Sequence, residues 1–279
     1  ARDRMGKKPL YWGLYDNTLL FASEPKALFK HEKFKKEIDL NSLNKYFQFE
    51  YIPTPRSIYK GLNKLEPGHF IEFKNNNIKK IKFWDIKSEN KKIDLNKAIE
   101  RLDNLMSEAV KKRMVADVPV GIFLSGGIDS SAIAYYAMKN SKNMIKTFSI
   151  GFQDKSFDEL KYANIVSKLL NTEHYEKVLS EKDSIDVIYN ISNLLDEPLA
   201  DSSIIPTYLL SKYAREHVTV ALGGDGGDEL FWGYDTFVAH KLSFIYDLVP
   251  DFIKKIFIKS IDMIPTSFSN ISLNFKIKK

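Results

Sequence analysis

Apolar and polar positions alternate over residues 10–23 around Asp16-Asn17, a pattern that predicts a β-hairpin. Ser23-Glu24-Pro25 then starts a short helix through Phe29, and Asn41 to Phe49 reads as a second helix, ended by Ile52-Pro53-Thr54-Pro55. Glu66-Pro67-Gly68 leads into a strand over His69 to Phe73, a polar turn at Asn75-Asn76-Asn77, and a strand from Ile78 to Trp84. This first block is β-rich with antiparallel connections. Tyr46, Phe47, Phe49 and Tyr51 form an aromatic stripe that reads as core or domain contact. The polar stretch from Lys87 to Lys92 is the expected linker, dividing the chain into residues 1–90 and 91–279.

After residue 93 the rhythm changes. A long amphipathic helix is predicted from Leu95 to Met114, with Ile99, Leu102, Leu105, Met106, Ala109 and Val110 on its apolar face. Short apolar strands follow at 118–124, 145–152, 174–178 and 218–222. Helical patterns separate them at 130–139, 157–170, 181–195 and 202–217. Such alternation predicts an α/β fold with a doubly wound parallel sheet. Ligands in these sheets bind at the carboxyl ends of strands, where the strand order reverses.

Two turns fall at such ends. The first, Leu124-Ser125-Gly126-Gly127-Ile128-Asp129-Ser130-Ser131, joins an apolar strand to a helix. Glycines let backbone amides approach a ligand, serines can cap the helix or bond a phosphate oxygen, and the helix N-terminus favours an anion. No Gly-Lys-Ser/Thr follows, so this is not a Walker loop. The second turn, Gly223-Gly224-Asp225-Gly226-Gly227-Asp228-Glu229, sets four glycines among three acids. Carboxylates facing a phosphate loop need a cation between them, and Mg²⁺, held by one or two carboxylates and phosphate oxygens, suits that place. Asp129 and Asp228 are the expected ligands. A surface Gly/Asp turn is the alternative reading.

Composition narrows the field. The chain has 279 residues, 44% of them apolar, enough for a sizeable core. It has no cysteine, which excludes disulfides, thiolate metal sites and a cysteine nucleophile. The net charge of +6 comes from lysines spread among acids, a solvated surface rather than a nucleic-acid patch. No apolar run reaches the ~18–20 residues of a membrane span. Phe244 to Ile264 is broken by charges and Pro250, and its Lys-rich 253–259 reads as the solvated face of an amphipathic helix. His31 reads as surface; His69, His174, His217 and His240 lack metal-ligand spacing and read as structural. The chain opens without Met, and a piece of a longer protein is expected.

The first turn resembles the pyrophosphate loop, Ser-Gly-Gly-Xaa-Asp-Ser-Ser, of ATP-pyrophosphatases. Together with Gly223 through Tyr234, with Thr147-Phe148-Ser149-Ile150-Gly151-Phe152, with Phe157-Asp158-Glu159, and with Asp196-Glu197-Pro198 before Asp201-Ser202-Ser203, it resembles the synthetase domain of glutamine-dependent asparagine synthetases. Arg2 to Tyr11 and Phe21 to Leu28 resemble the closing segment of that family's N-terminal, Ntn-hydrolase-type glutaminase domain. Asp158-Glu159 either supports the nucleotide site or is a helix-start charge pair.

The resemblance implies an ATP-pyrophosphatase (adenine nucleotide hydrolase-like) sheet behind a β-rich glutaminase remnant. ATP would adenylate the side chain of aspartate with release of pyrophosphate, and ammonia drawn from glutamine would displace AMP. Ser125, Gly126, Gly127, Ser130 and Ser131 would cradle pyrophosphate; Asp129 and Asp228 would hold Mg²⁺. Leu124, Ile150, Gly223 and Gly224 match adenosine or nucleotide contacts, and Asp225 the acid that orients substrate or takes a proton from ammonia. Gly223 stands where Ser or Thr is more usual, and Trp232 where a second glycine is commoner. The family's catalytic cysteine and its pyrophosphate-loop lysine have no counterpart here, so the chain alone is expected to be inactive. Small-molecule substrates, a cytoplasmic setting and no nucleic-acid or membrane partner are implied; a homodimer is allowed. Three other readings share these motifs: a relative that adenylates another carboxylic acid, a non-catalytic nucleotide-binding protein, and an RNA-modifying ATP pyrophosphatase, the last usually needing cysteines.

Overall fold

The computed structural model describes residues 1–87, 92–153, 159–251 and 253–254. Residues 88–91 of the expected linker at Lys87–Lys92, the motif residues Phe157-Asp158 and most of the Lys-rich stretch 253–259 lie outside these residues. The chain divides into two compact units: Ala1–Lys92 with Ile185–Ile205, and Ile93–Ser184 with Pro206–Lys279.

In the first unit, β1 (Tyr11–Tyr15) and β2 (Thr18–Ala22) pair antiparallel. Their connection is Asp16-Asn17, at φ 45° and 61°, the left-handed pair that matches strand twist in a two-residue hairpin. Asn75 and Asn76, at φ 50° and 59°, do the same between β4 (His69–Lys74) and β5 (Asn77–Lys82). A strand not foreseen from sequence, β3 (Asn63–Lys64), adds to β1. It has two residues and no periodicity; only its partner defines it.

Helix α1 (Pro25–Leu28) has proline at its first position. Helix α2 (Leu40–Phe49) is capped by the Asp39 side chain, which accepts from Asn41 N at 3.0 Å, and ends at Glu50 with φ 66°. Leu20, Leu28, Phe34 and Leu62 form the core of this unit, and the Phe34 ring meets Tyr15, Phe29 and Tyr59. The aromatic stripe of α2 is not part of it. Phe47, Phe49 and Tyr51 are exposed and Tyr46 is half-buried, because α2 turns its small residue Ser42 inward instead.

In the second unit, α3 (Leu95–Arg113) starts at Asp94, whose carboxylate accepts from Asn96 N and Lys97 N at 3.1 and 3.2 Å. Such a cap is worth about 1 kcal/mol. Its expected apolar face is only partly used. Val110 is buried, while Ile99, Leu102 and Leu105 are exposed. The helix packs on α4 (Ile128–Asn140) through other groups: Asp103 accepts from Tyr136 Oη at 2.9 Å, and Asn140 donates to Ser107 O and Oγ.

The remaining strands are β6 (Val120–Phe123), β7 (Lys146–Phe152), β8 (Glu173–Leu179) and β9 (Val220–Leu222), all parallel in the order β8-β7-β6-β9. Helix α5 (Leu160–Leu170) joins β7 to β8; α6 (Glu181–Leu194) and α7 (Ile204–Arg215) lie between β8 and β9. Ile122 and Leu124 pack with Val110, Ala134, Ala137 and Ala163 on one face. Phe148 packs with Ala214 and Val218 on the other, so both faces are covered, as the doubly wound reading requires. Burying Ile122 and Leu124 contributes about 2 kcal/mol each. From β6 the chain moves outward to β7 and β8, then returns to place β9 on the far side of β6. Strand order therefore reverses between β6 and β9. Beyond β9 come α8 (Gly227–Phe231), absent from the sequence prediction, and α9 (Asp235–Asp247), which overlaps only at its end the stretch from Phe244 that reads as amphipathic helix.

Candidate active site

Both Gly-rich turns sit at this reversal, at the carboxyl ends of adjacent parallel strands. They touch. A Cβ on Gly224 would fall 2.9 Å from Ser130 N and 3.0 Å from Asp129 Cβ; one on Gly227 would fall 2.3 Å from Asp129 Cγ. The second turn therefore lies with bare Cα atoms against the start of α4. Something had to approach these glycines closely, and it is the first turn.

The first turn supports itself. Ser130 is 8% exposed, and its Oγ accepts from Ser125 N (3.3 Å), donates to Gly127 O (3.2 Å) and lies 3.0 Å from Ser125 Oγ. Ser125 Oγ in turn accepts from Gly127 N at 3.2 Å. Two sequence expectations are corrected here. Ser130 and Ser131 do not cap α4; Gly127 stands at the N-cap with no side-chain bond. Gly126 is glycine for the fold's sake, since its φ is +84° and a Cβ would lie 2.5 Å from the Tyr162 backbone. Gly127 differs, because a Cβ there would meet nothing but Ser125 Oγ, at 3.3 Å. It is the glycine whose open side is free for a ligand.

Three amides at the start of α4, those of Ile128, Asp129 and Ser130, have no acceptor among the described residues. Ser131 Oγ is buried and has no hydrogen-bond partner. Together with the helix dipole these donors make a place for an anion. Leu124 is buried, its N–H donating to Phe148 O at 2.9 Å and its carbonyl accepting from Ser149 Oγ. Its backbone is thus already engaged, and Ile150, half-buried on β7, lies beside it at the sheet edge.

On the acidic side, the carboxyl of Asp129 lies flat against Gly227, and that of Asp228 against Gly233, where a Cβ would come 1.9 Å from Oδ1. Asp225 is exposed, its carboxyl turned back over Gly223, with Oδ2 2.5 Å from where a Cβ would stand. The side chains of Asp129, Asp225 and Asp228 have no hydrogen bond or ion pair among the described residues. Glu229 is engaged: it accepts from Tyr234 Oη at 2.8 Å, which holds its carboxyl below the usual range. Trp232 is exposed at φ 61° and stacks on Phe237. The sequence reading missed Gly227, Gly233 and Ser149. All three stand inside the quoted motifs, Ser149 in that of residues 147–152, but the contact each makes is set only by folding.

Residues 101–260 match the asparagine synthase family. The chain belongs to that family. Residues 1–84 match a glutamine amidotransferase domain. A Bacillus subtilis relative named asparagine synthetase (glutamine-hydrolyzing) 1 is 34% identical over 98% of this chain and 43% of its own length. A Methanocaldococcus jannaschii protein with the provisional name asparagine synthetase (glutamine-hydrolyzing) 2 is 40% identical over 91% of this chain and 50% of its own. The chain thus spans about half the length of these relatives. An NH3-dependent NAD synthetase from Campylobacter jejuni overlaps 48% of the chain and 60% of its own at 19% identity and TM-score 0.36, too loose a likeness to argue from. No described helix is long and apolar enough to cross a membrane.

Proposed function

We propose that the protein carrying this chain is an ATP-dependent amide-forming ligase that converts aspartate to asparagine in the cytoplasm, with release of AMP and pyrophosphate and with ammonia supplied from glutamine. One observation carries the reading: the two turns meet at the strand-order reversal, Gly224 and Gly227 against Asp129 and Ser130. The free amides at the start of α4 then lie against the turn that carries the unpaired Asp225 and Asp228, a charge pattern that supports a site for a metal-bound polyphosphate.

In this reading the amides of Ile128, Asp129 and Ser130, with Ser125, Gly126, Gly127 and Ser131, bind the departing pyrophosphate. Ser130 acts chiefly by holding the turn. Mg²⁺ fits the donor set, since Asp129 and Asp228 offer hard oxygens that no lysine or arginine among the described residues neutralises. When bound it would neutralise charge on the phosphate oxygens. Leu124 and Ile150 border the nucleotide through the sheet edge, and Gly223 and Gly224 line the facing turn. Asp225, exposed and unpaired, orients the substrate or receives the proton that ammonia loses on attack. The turn at Gly223 offers the nucleotide no hydroxyl. The division near residue 90 into an amidotransferase part and a synthetase part completes the reading.

The test uses the full-length protein: exchange of labelled pyrophosphate into ATP with ammonia omitted and single carboxylic acids added. Exchange with aspartate alone supports the proposal. Exchange with another acid instead moves the assignment to a different amidating relative, and no exchange with any acid overturns adenylation.

A further inference from the structure

The amino-terminal edge of the same sheet, opposite the Gly-rich turns, carries a second polar site. There a cavity of about 480 Å³ runs between α5 and the edge strand β8. Helix α5 contributes its Asn164-to-Asn171 face, Lys168 included, and the strand side contributes Thr172, His174 and Glu176, alternate residues on one face. No apolar side chain lines it, although grooves between a helix and a parallel sheet are ordinarily packed with aliphatic residues.

His174 is the unusual member. Its side chain is 9% exposed, and burial pushes its pKa down, against the pull of Glu176. Its Nδ1 lies 2.8 Å from Thr147 Oγ1, which lies 2.9 Å from Thr172 Oγ1. With the proton on Nδ1, the ring donates to Thr147 and Thr147 can donate to Thr172, and these bonds hold the ring. Nε2 is then a bare lone pair. In that form it is buried without a hydrogen bond, its lone pair 3.2 Å from Glu176 Oε1, two acceptors face to face.

That separation has a simple chemical reading. Two metal–ligand bonds of about 2.0–2.1 Å meeting at a tetrahedral angle place their outer atoms about 3.3 Å apart. A neutral imidazole whose far nitrogen is tied to a hydroxyl is also the form in which histidine binds metals. We propose that His174 Nε2 and Glu176 Oε1 bind one borderline divalent cation, of the Zn²⁺ type, with water completing its coordination. This site is separate from the Mg²⁺ position at the carboxyl edge and does not depend on the ligase reading. Lys168, on an exposed stem along the same groove, opposes the cation by Coulomb repulsion.

The test is calorimetric titration of the whole chain with Zn²⁺ alone, repeated with Co²⁺ to read the ligand-field spectrum. One equivalent should bind, and both Glu176→Gln and His174→Gln should weaken it by more than about tenfold. Glu176 is the more exposed of the two, so its variant decides the matter if the histidine variant fails to fold. Lys168→Ala should tighten binding. Unchanged affinity in Glu176→Gln, or no bound equivalent in the parent chain, overturns the proposal. Weaker binding in Lys168→Ala would do so as well.

Discussion

The two turns at the reversal between β6 and β9 look alike in sequence and are built differently. The turn after β6 is laced by hydroxyls: Ser130 and Ser125 bond to its own backbone, and it opens into a 13-residue helix with Ser130, Ala134 and Ala137 buried. The turn after β9 has no side-chain bond of this kind within Gly223–Gly227. It opens into a five-residue helix with no buried residue, and takes its shape from Gly226 at φ +96° and from leaning on its neighbour. One turn is a scaffold and the other is shaped against it. The catalytic acid expected at Asp225 therefore sits on the more pliable of the two, as a group that must respond to substrate would.

Breaking the scaffold should cost most. Gly126→Ala combines a left-handed φ with a backbone clash at Tyr162, and should lose more than about 2 kcal/mol of stability in denaturant unfolding. Ser130→Ala, which removes the partly buried hydrogen bonds to Ser125 N and Gly127 O, should lose about 1–2 kcal/mol. If either variant is as stable as the parent, the first turn is not self-supporting. Gly227→Ala should behave in the opposite way. Its Cβ collides only with a carboxylate that can rotate, so stability should fall by less than about 1 kcal/mol, while pyrophosphate exchange in the full-length protein falls more than about tenfold through displaced Asp129.

The smallest effect lies at the far end of the scaffold helix. Asp103 accepts from Tyr136 and pairs with Lys139 on α4, and these bonds hold its carboxyl below the ordinary range. A lowered folded-state pKa stabilises above the unfolded value, about 3.9, and that benefit fades as pH falls through the folded one. Asp103→Asn should thus lower Tm slightly at pH 7, by an amount that shrinks as pH falls below the usual carboxylate range. On the alkaline side, burial and the same bond push Tyr136 up to about 12. Its share of stability is present below the ordinary tyrosine range and lost as pH rises through that raised value. A Tm difference at pH 7 no larger than that at the acid extreme would show that α4 is not pinned by this pair.

The contrast also explains what could be read from the sequence. Hairpins at Asp16-Asn17 and Asn75-Asn76 were legible because left-handed φ is a local demand with a local residue signature. The β/α alternation and the placement of both turns at strand ends followed from period and length alone. The reason for each glycine was not legible, since Gly126 answers to Tyr162 and Gly227 to Asp129, neighbours made only by folding. The same holds for β3, for the grouping of Ile185–Ile205 with the N-terminal unit, and for Glu197 there, which accepts from Ile58 N at 2.7 Å and pairs with Lys64. Amphipathic period misled where exposure is set by what packs alongside: Ile99, Leu102 and Leu105 on α3 lie open, and of the two readings of the aromatic stripe the core one fails at Phe47 and Phe49. Histidine spacing likewise hid His174 and Glu176, whose pairing depends on the strand face they share.

The central claim is that both turns serve one metal-bound triphosphate, and a double-mutant cycle on Mg²⁺-ATP binding by the full-length protein tests it directly. Asp129→Asn and Asp228→Asn should each weaken binding more than about tenfold, and the double variant should be little worse than the weaker single, a coupling above about 1 kcal/mol. Strictly additive losses would mean that the two carboxylates do not act through one ion, and would contradict a shared site.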